Sequence, residues 1–264
     1  MKDAQFQFFA DYVYQSAGIV LKNHKKQMLQ SRLSRRLQRL GLSDFDQYIE
    51  HLETSPSEHQ CLVNAVTTNL TYFFREAHHF EHFKTVVLPD LSDQRRPIRI
   101  WSAGCSSGEE PISIAISILE TPGLSQSHTK ILATDIDTKI LETCRTGTYA
   151  RDKAKDLSPQ TMDRFFESKG GQFQAKGAIL DRIFYLPLNL QGKWPHQYKS
   201  DVIFCRNVLI YFDKATKDRL INRFVDQLRP GGILYLGHSE ALLTPHEHLK
   251  AEGHTIYRKV PANG

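Results

Sequence analysis

The sequence predicts an α/β protein with a mostly parallel sheet, preceded by a small all-helical unit, and three observations carry that expectation. From Arg99 onward, short apolar runs of strand length alternate with stretches of helix length. A glycine turn joins the first such run to the apolar segment that follows it. Before residue 80 the apolar positions instead recur at helical spacing.

In the helical unit, Leu29, Leu33, Leu37 and Leu40 fall on one stripe and Gly41 closes that helix. Ser43, with Asp44 and Asp46 behind it, marks the start of a helix running through Leu52, and Ser55-Pro56-Ser57-Glu58 starts the next. The α/β part opens with the strand Ile98 to Trp101, the glycine turn and a helix over Ile112 to Leu119. A second strand, Lys130 to Thr134, ends at Asp135, and Thr138 to Arg145 is helical. Asp201 to Cys205 is a third strand candidate, of the buried kind. Lys214 to Leu228 is a long amphipathic helix, after which Gly231-Gly232 leads into the strand Ile233 to Leu236. Between Phe165 and Asn189 the glycine-punctuated stretch Lys169 to Leu180 reads as short hairpins, an inserted β subdomain over about 165–188. The expected division is a helical unit over 1–80 and an α/β domain over 81–264.

Charged residues are 24% and the apolar set 40% of 264 residues, which excludes disordered and fibrous classes. No apolar run reaches signal-peptide or membrane-span length, and Cys61, Cys105, Cys144 and Cys205 form no Cys-x-x-Cys pair. A cytoplasmic protein with reduced thiols is expected. The net charge of +5 is too modest to name a partner. Of the twelve histidines, His78 and His82 stand one helical turn apart, but no His-Glu-x-x-His pattern accompanies them, so no metal site is expected. Nor does Ser239 lie in a Gly-x-Ser-x-Gly elbow.

The chemistry concentrates in Trp101-Ser-Ala-Gly-Cys-Ser-Ser-Gly-Glu-Glu110. A strand that ends in a glycine turn and opens a helix offers free backbone N–H groups at a site of close approach. The Gly-x-Gly-x-x-Gly spacing of dinucleotide sites is absent, and Glu109 and Glu110 disfavour a phosphate. Carboxylates here suit a cationic ligand such as the sulfonium and ammonium groups of S-adenosylmethionine. Asp135, ending the next strand, stands where such folds place an acid that binds ribose hydroxyls.

Six segments, in this order, carry a specific resemblance: Thr68-Asn-Leu-Thr-Tyr-Phe-Phe-Arg-Glu-Ala-His-His-Phe80, the turn through Pro111, Ala133-Thr-Asp-Ile-Asp137, Pro187-Leu-Asn-Leu190, Phe204-Cys-Arg-Asn-Val-Leu-Ile-Tyr-Phe212 and Gly237-His-Ser-Glu240. Together they resemble the chemotaxis receptor glutamate methyltransferases, the CheR family, over nearly the whole chain. The resemblance implies a Rossmann-like S-adenosylmethionine-dependent domain with a small antiparallel β subdomain, behind an all-helical N-terminal domain. The implied reaction is methyl transfer to glutamate carboxylates of chemoreceptors, forming methyl esters, with S-adenosylhomocysteine as product. It implies Asn69, Thr71, Arg75, Glu110, Asp135, Asn189, Leu190, Arg206 and Asn207 as cofactor-site residues. Glu110 would hold the methionine end, Asp135 the ribose, and Asn189 and Leu190 the adenine. Arg75 and Tyr211 would act at the reacting centre, Arg75 by orienting the acceptor carboxylate and Tyr211 by a hydrogen bond near the transferred methyl. The basic helix face of Arg32, Arg35, Arg36 and Arg39 reads either as a solvated face or as a docking surface, and acidic receptor helices favour docking. A monomer acting on the cytoplasmic helical domain of a chemoreceptor is expected, with neither nucleic acid nor membrane insertion involved. The segment from Lys169 to Ile183 is shorter than in relatives that tether a receptor-tail peptide, which points to tether-independent action.

Three features bear on alternatives. A methyltransferase for nucleic acid or small molecules fits the charge and cofactor, but Arg206-Asn207-Val208 stands where amino-group methyltransferases carry an Asn/Asp-Pro-Pro-aromatic motif. A non-catalytic sensor of the cofactor or its product is the rival of another class. Tyr72-Phe-Phe74 could stack bases, yet aromatics at a domain junction are more often core.

Overall fold

The computed structural model describes residues 1–94, 96–124, 129–194 and 198–261. Its first layer is four helices, α1 (Asp3–Ala17), α2 (Lys26–Leu40), α3 (Phe45–Thr54) and α4 (Pro56–Val66). The leucine stripe of α2 does what its period requires: Leu29, Leu33 and Leu37 are buried against Phe9, Val13, Tyr48, Leu52 and Leu62. Gly41 then ends α2 at φ 70°, a conformation open to glycine at little cost. Asp44 caps α3 by accepting from the N–H groups of Asp46 and Gln47. Inside this unit the buried Glu58 carboxylate is bound by both ends of the Arg36 guanidinium, at 2.8 and 2.5 Å, and by the Tyr48 hydroxyl at 2.7 Å.

The second unit opens with α5 (Ala77–His82), one π-helical turn over Phe83–Val87, and α6 (Leu88–Ser92). Ten strands follow among the described residues. Seven form one sheet: β1 (Arg99–Ala103), β2 (Lys130–Asp135), β6 (Ile183–Pro187), β7 (Ser200–Cys205), β8 (Leu228–Leu236), β9 (Leu249–Gly253) and β10 (Ile256–Lys259). Their order is β6-β2-β1-β7-β8-β10-β9, with the first five parallel and β10 antiparallel to both of its neighbours, β8 and β9. Between them run α7 (Glu109–Glu120), α8 (Thr138–Thr146) and α11 (Lys214–Gln227). The central β7 is buried along its whole length, the pattern of a strand covered on both faces. Strand order reverses between β1 and β7, and the crevice at that switch point is where such sheets bind ligands.

The inserted β subdomain has different edges from those expected. Its sheet is β3 (Thr148–Ala150), β5 (Gln172–Ala175) and β4 (Phe166–Lys169), in the order β3-β5-β4, with α9 (Pro159–Phe165) and α10 (Gly177–Leu180) alongside. It therefore begins near residue 148, before 165–188, and Ile183–Pro187 is not part of it. That run pairs in parallel with β2 as the edge strand of the main sheet, because its apolar face covers α7 and α8. The hairpin joining β4 to β5 turns on Gly170-Gly171, both at positive φ, as a two-residue loop of this kind requires.

Candidate active site

Three loops leave the C-terminal ends of β1, β2 and β7 and converge under a fourth segment, residues 67–76, that connects the helical unit to the α/β unit. They enclose a cleft of about 230 Å³. Asn69, Thr71, Arg75, Glu110, Asp135, Asn189, Leu190, Arg206, Asn207 and Tyr211 all line it. The aromatic run above it divides: Phe73 is core, Phe74 is partly buried and Tyr72 is exposed.

The floor is built from backbone geometry. Gly104 sits at φ 88°, and a Cβ there would stand 2.3 Å from the Val208 side chain, so the turn passes where no side chain fits. Asp135 accepts from the N–H of Ser106 at 2.8 Å and of Asp137 at 2.9 Å, which fixes both loops around one carboxylate. Burial still pushes its pKa up, against those hydrogen bonds. Glu110 accepts from Ser102 Oγ at 2.6 Å and from Arg206 at 3.1 Å, and burial likewise pushes it up against the pull of that guanidinium. Burial also raises the Cys105 thiol well above its ordinary value, so this cysteine is a neutral wall and not a nucleophile.

Arg206 is the hub. Its buried guanidinium lies between Glu110 and Glu76, 3.5 Å away, donates to the Arg75 carbonyl and covers the Phe80 ring at 5.4 Å. Glu76 in turn accepts from Asn207 Nδ2 and from the His238 N–H; burial opposes its ionisation, but Arg206 and these hydrogen bonds bring its pKa down. His79, fully buried beside it, is lowered to about 3 by burial and by Arg206 and is neutral at ordinary pH. Glu76 and Glu110 thus share a single buried guanidinium, Asp135 is held by backbone N–H groups alone, and the half-buried Arg75 lines the same cleft. A surplus of buried negative charge is complementary to a cation.

Three acids of this site carry no assigned role in the motif reading, although all lie within its segments. Glu76 is described above. Asp137 caps α8 and holds Thr67 Oγ1 at 2.8 Å and Asn69 Nδ2 at 2.9 Å, so it shapes the covering segment from below. Glu240 is buried and accepts from the N–H groups of Asn207, Ile210 and Gly237 at 2.7, 3.0 and 2.6 Å, cinching the loop that carries Asn207 and Tyr211. The second acid of Asp135-Ile-Asp137 was a usable cap signal; Glu76 and Glu240 offered none, since most of their partners, Arg206, Asn207, Ile210 and His238, are distant in sequence. His238 and Ser239 are exposed. Asn189 spends its amide on the Ser16 carbonyl at 2.7 Å, tying α1 to the cleft wall that Leu188 and Leu190 make apolar. Tyr211 also lines the cleft, and its backbone carbonyl accepts from Val20 N–H.

The arginine face of α2 separates into two pairs. Arg36 is committed to Glu58, and Arg32 donates to the carbonyls of Ala65 and Thr67. Of the four, Arg35 and Arg39 are exposed and Arg32 and Arg36 half-buried, because α4 packs against the side of α2 that carries the latter two. All four still border a groove with Asn64 and Lys139 that meets the cleft at Thr67 and Asn69. Among the described residues no cluster of three or more His, Cys, Asp or Glu is arranged to hold a metal ion, and no helix is long and apolar enough to cross a membrane.

The residues present fit S-adenosylmethionine. The glycine turn leaves room for close approach, the acids suit the cationic and ribose portions, and the Leu188 and Leu190 wall suits a purine. Ser106 Oγ is buried in the lining with no partner in the protein, as expected of a group kept for a ligand.

Residues 4–67 match the family described as CheR methyltransferase, all-alpha domain, and residues 69–258 match CheR methyltransferase, SAM binding domain. The chain is 41% identical over 271 residues to the chemotaxis protein methyltransferase of Escherichia coli (strain K12), covering 97% of this chain and 91% of that protein. It is 41% identical over 257 residues to chemotaxis protein methyltransferase 2 of Pseudomonas aeruginosa, covering 96% and 91%. Against a probable chemotaxis protein methyltransferase of Rhizobium etli it is 43% identical over 258 residues, covering 93% and 96%.

Proposed function

The chain belongs to the CheR methyltransferase family, which uses S-adenosylmethionine, and we propose that it methylates glutamate side-chain carboxylates in the cytoplasmic helical domain of chemoreceptors. The observation that carries this reading is the polarity of the cleft. The acids Glu110 and Asp135 line the cleft, and a long cationic side chain, Arg75, lines it beside Tyr211. When bound, S-adenosylmethionine supplies a methyl group on positively charged sulfur, open to attack by a carboxylate oxygen.

The protein's own residues then divide the work. Glu110 meets the methionine end, and Asp135, whose oxygens each keep a lone pair, accepts from the ribose hydroxyls. Asn69 and Thr71 close over the donor, Asn189 and Leu190 flank the adenine, and Arg206 and Asn207 fix the loops between. A glutamate acceptor is already ionised near neutral pH, its reference pKa being about 4.3, so no general base is required. Catalysis is positioning in a water-poor cleft. Arg75 draws the acceptor carboxylate in and Tyr211 aligns it. Arg35 and Arg39, with Lys139 across the groove, meet the acidic receptor helix. Arg32 and Arg36 shape that groove from within. The two-residue β4–β5 turn supports docking that needs no receptor-tail tether.

The test is incorporation of labelled methyl into receptor cytoplasmic fragments, with and without glutamate-to-alanine changes at the acceptor positions. Label lost on mild alkali and absent from the alanine fragments is expected; alkali-stable label sinks the proposal, since nitrogen methylation survives alkali. In the same assay Arg75→Ala should lower kcat by roughly 100-fold, the scale of one lost electrostatic contact at a reacting centre, with donor affinity kept.

A further inference from the structure

The small antiparallel sheet lies outside the cleft, yet it touches both segments that enclose it. From the turn after β3, Lys153 Nζ donates to the carbonyl of Thr71 at 3.2 Å and to Glu109 Oε1 at 3.0 Å. Glu109 is fully buried and is also bound by Ser107 Oγ at 2.5 Å, within the glycine turn. The Tyr149 hydroxyl, on β3 itself, donates to the Ser107 carbonyl at 3.0 Å. On the covering segment, Phe73 packs edge-on against Tyr149 and Phe166, at 5.1 and 5.7 Å, and against Phe173 at 6.1 Å. Its neighbour Phe74 donates its N–H to Ser113 Oγ, which is bonded to the Glu109 carbonyl. Apart from the Phe74 ring on Phe80 and the Arg75 guanidinium over the Tyr72 ring, the ties of the stretch from Thr71 to Phe74 lead to the small sheet and its following turn or to α7, and Lys153 is the side chain of the subdomain that bonds both the covering segment and the start of α7.

We propose that Lys153 is a positioning residue through which the small sheet holds the covering segment over the methyl donor. This rests on the reading of the cleft as the S-adenosylmethionine site. The Thr71 carbonyl has no other hydrogen-bond partner in the segment's own backbone, so the ammonium seats Thr71, between the tie of Asn69 to Asp137 and that of Phe74 to Ser113. The subdomain thereby gains a role at the donor site that requires no ligand of its own, and whatever alters its seating alters donor affinity.

Lys153→Met also leaves the Glu109 carboxylate buried without its cation, a change that by itself costs stability. Four full-length proteins separate the two effects: wild type, Lys153→Met, Lys153→Arg, and Lys153→Met combined with Glu109→Gln, which removes the stranded charge. Each is titrated calorimetrically with S-adenosylhomocysteine, melted, and assayed at saturating donor. Lys153→Met should raise Kd roughly tenfold, the loss of one charge-assisted hydrogen bond, and leave kcat at saturating donor nearly unchanged. Lys153→Arg should restore most of the affinity. The double variant should recover the melting temperature while Kd stays raised. Unchanged Kd in Lys153→Met, or Kd recovering together with melting temperature in the double variant, overturns the proposal. Wild type failing to bind S-adenosylhomocysteine would instead overturn the donor-site reading itself.

Discussion

The floor and the cover of the cleft are made in opposite ways. On the floor, single buried carboxylates collect several backbone N–H groups: Asp135 those of Ser106 and Asp137, Glu240 those of Asn207, Ile210 and Gly237. The cover, residues 67–76, has little hydrogen bonding of its own, a 3.4 Å bond from Arg75 N to the Tyr72 carbonyl being its internal turn. It is held from outside, at Thr67 and Asn69 by Asp137, at Thr71 by Lys153, at Phe74 by Ser113 and at the Arg75 carbonyl by Arg206. A floor of this kind cannot lose a carboxylate without exposing unpaired amides, whereas a cover can lose one tie and keep the fold. The floor fixes geometry through single carboxylates, whereas the seating of the cover is shared among several separate ties.

Three measurements press on that contrast. The largest effect belongs to the floor: Glu240→Ala strands three backbone N–H groups and should cost about 3 kcal/mol, lowering Tm by roughly 6–12 °C, with donor affinity falling in parallel. A variant that melts like wild type but has lost donor binding would break the comparison. Asp137→Ala sits between the two regions, since it removes the α8 cap as well as two ties of the cover. About 2 kcal/mol of stability and roughly tenfold in donor Kd are expected, read by denaturant melts and calorimetry.

The smallest effect is a linkage. Burial raises Glu110 and Asp135 above their own ordinary values, so in folding terms they favour the native state at low pH and lose that contribution as pH rises through their raised values. Donor binding has the opposite sign, because a cationic ligand favours the ionised forms. Binding should therefore release protons, and Kd should rise a few-fold as pH falls through the window just above the ordinary carboxylate range. Calorimetry in buffers of different ionisation heat measures the proton count; zero release would remove the acids from the donor site.

Much of this was legible before any coordinates. The strands β1, β2 and β7 and the helices α2, α7, α8 and α11 are written in short-range apolar period and in caps such as Gly41 and Asp44, which depend on near neighbours in the chain. The edges of the inserted sheet were not legible, because Thr148–Ala150 and Ile183–Pro187 are short runs whose partners lie 22 or more residues away: Ala150 meets Gln172, and Ile183 meets Ile131. A strand of that length has no local signature that says which sheet it will join.

The same division runs through the site. The order of motifs along the chain sufficed to gather the cleft residues, from Asn69 to Tyr211, since each motif ends a strand or links the two units. Tertiary structure alone decided what each charge is for. Arg35 and Arg36 are adjacent and chemically identical, yet one faces solvent while the other is locked onto Glu58 by the way α4 packs on α2. Glu110 and Glu240 are both buried, yet one faces a ligand cleft and the other is saturated with backbone amides from a loop 30 to 33 residues away. Residue type and local period are properties of the chain, but desolvation and hydrogen-bond partnership belong to the neighbours that folding brings, and those set the function of a charge.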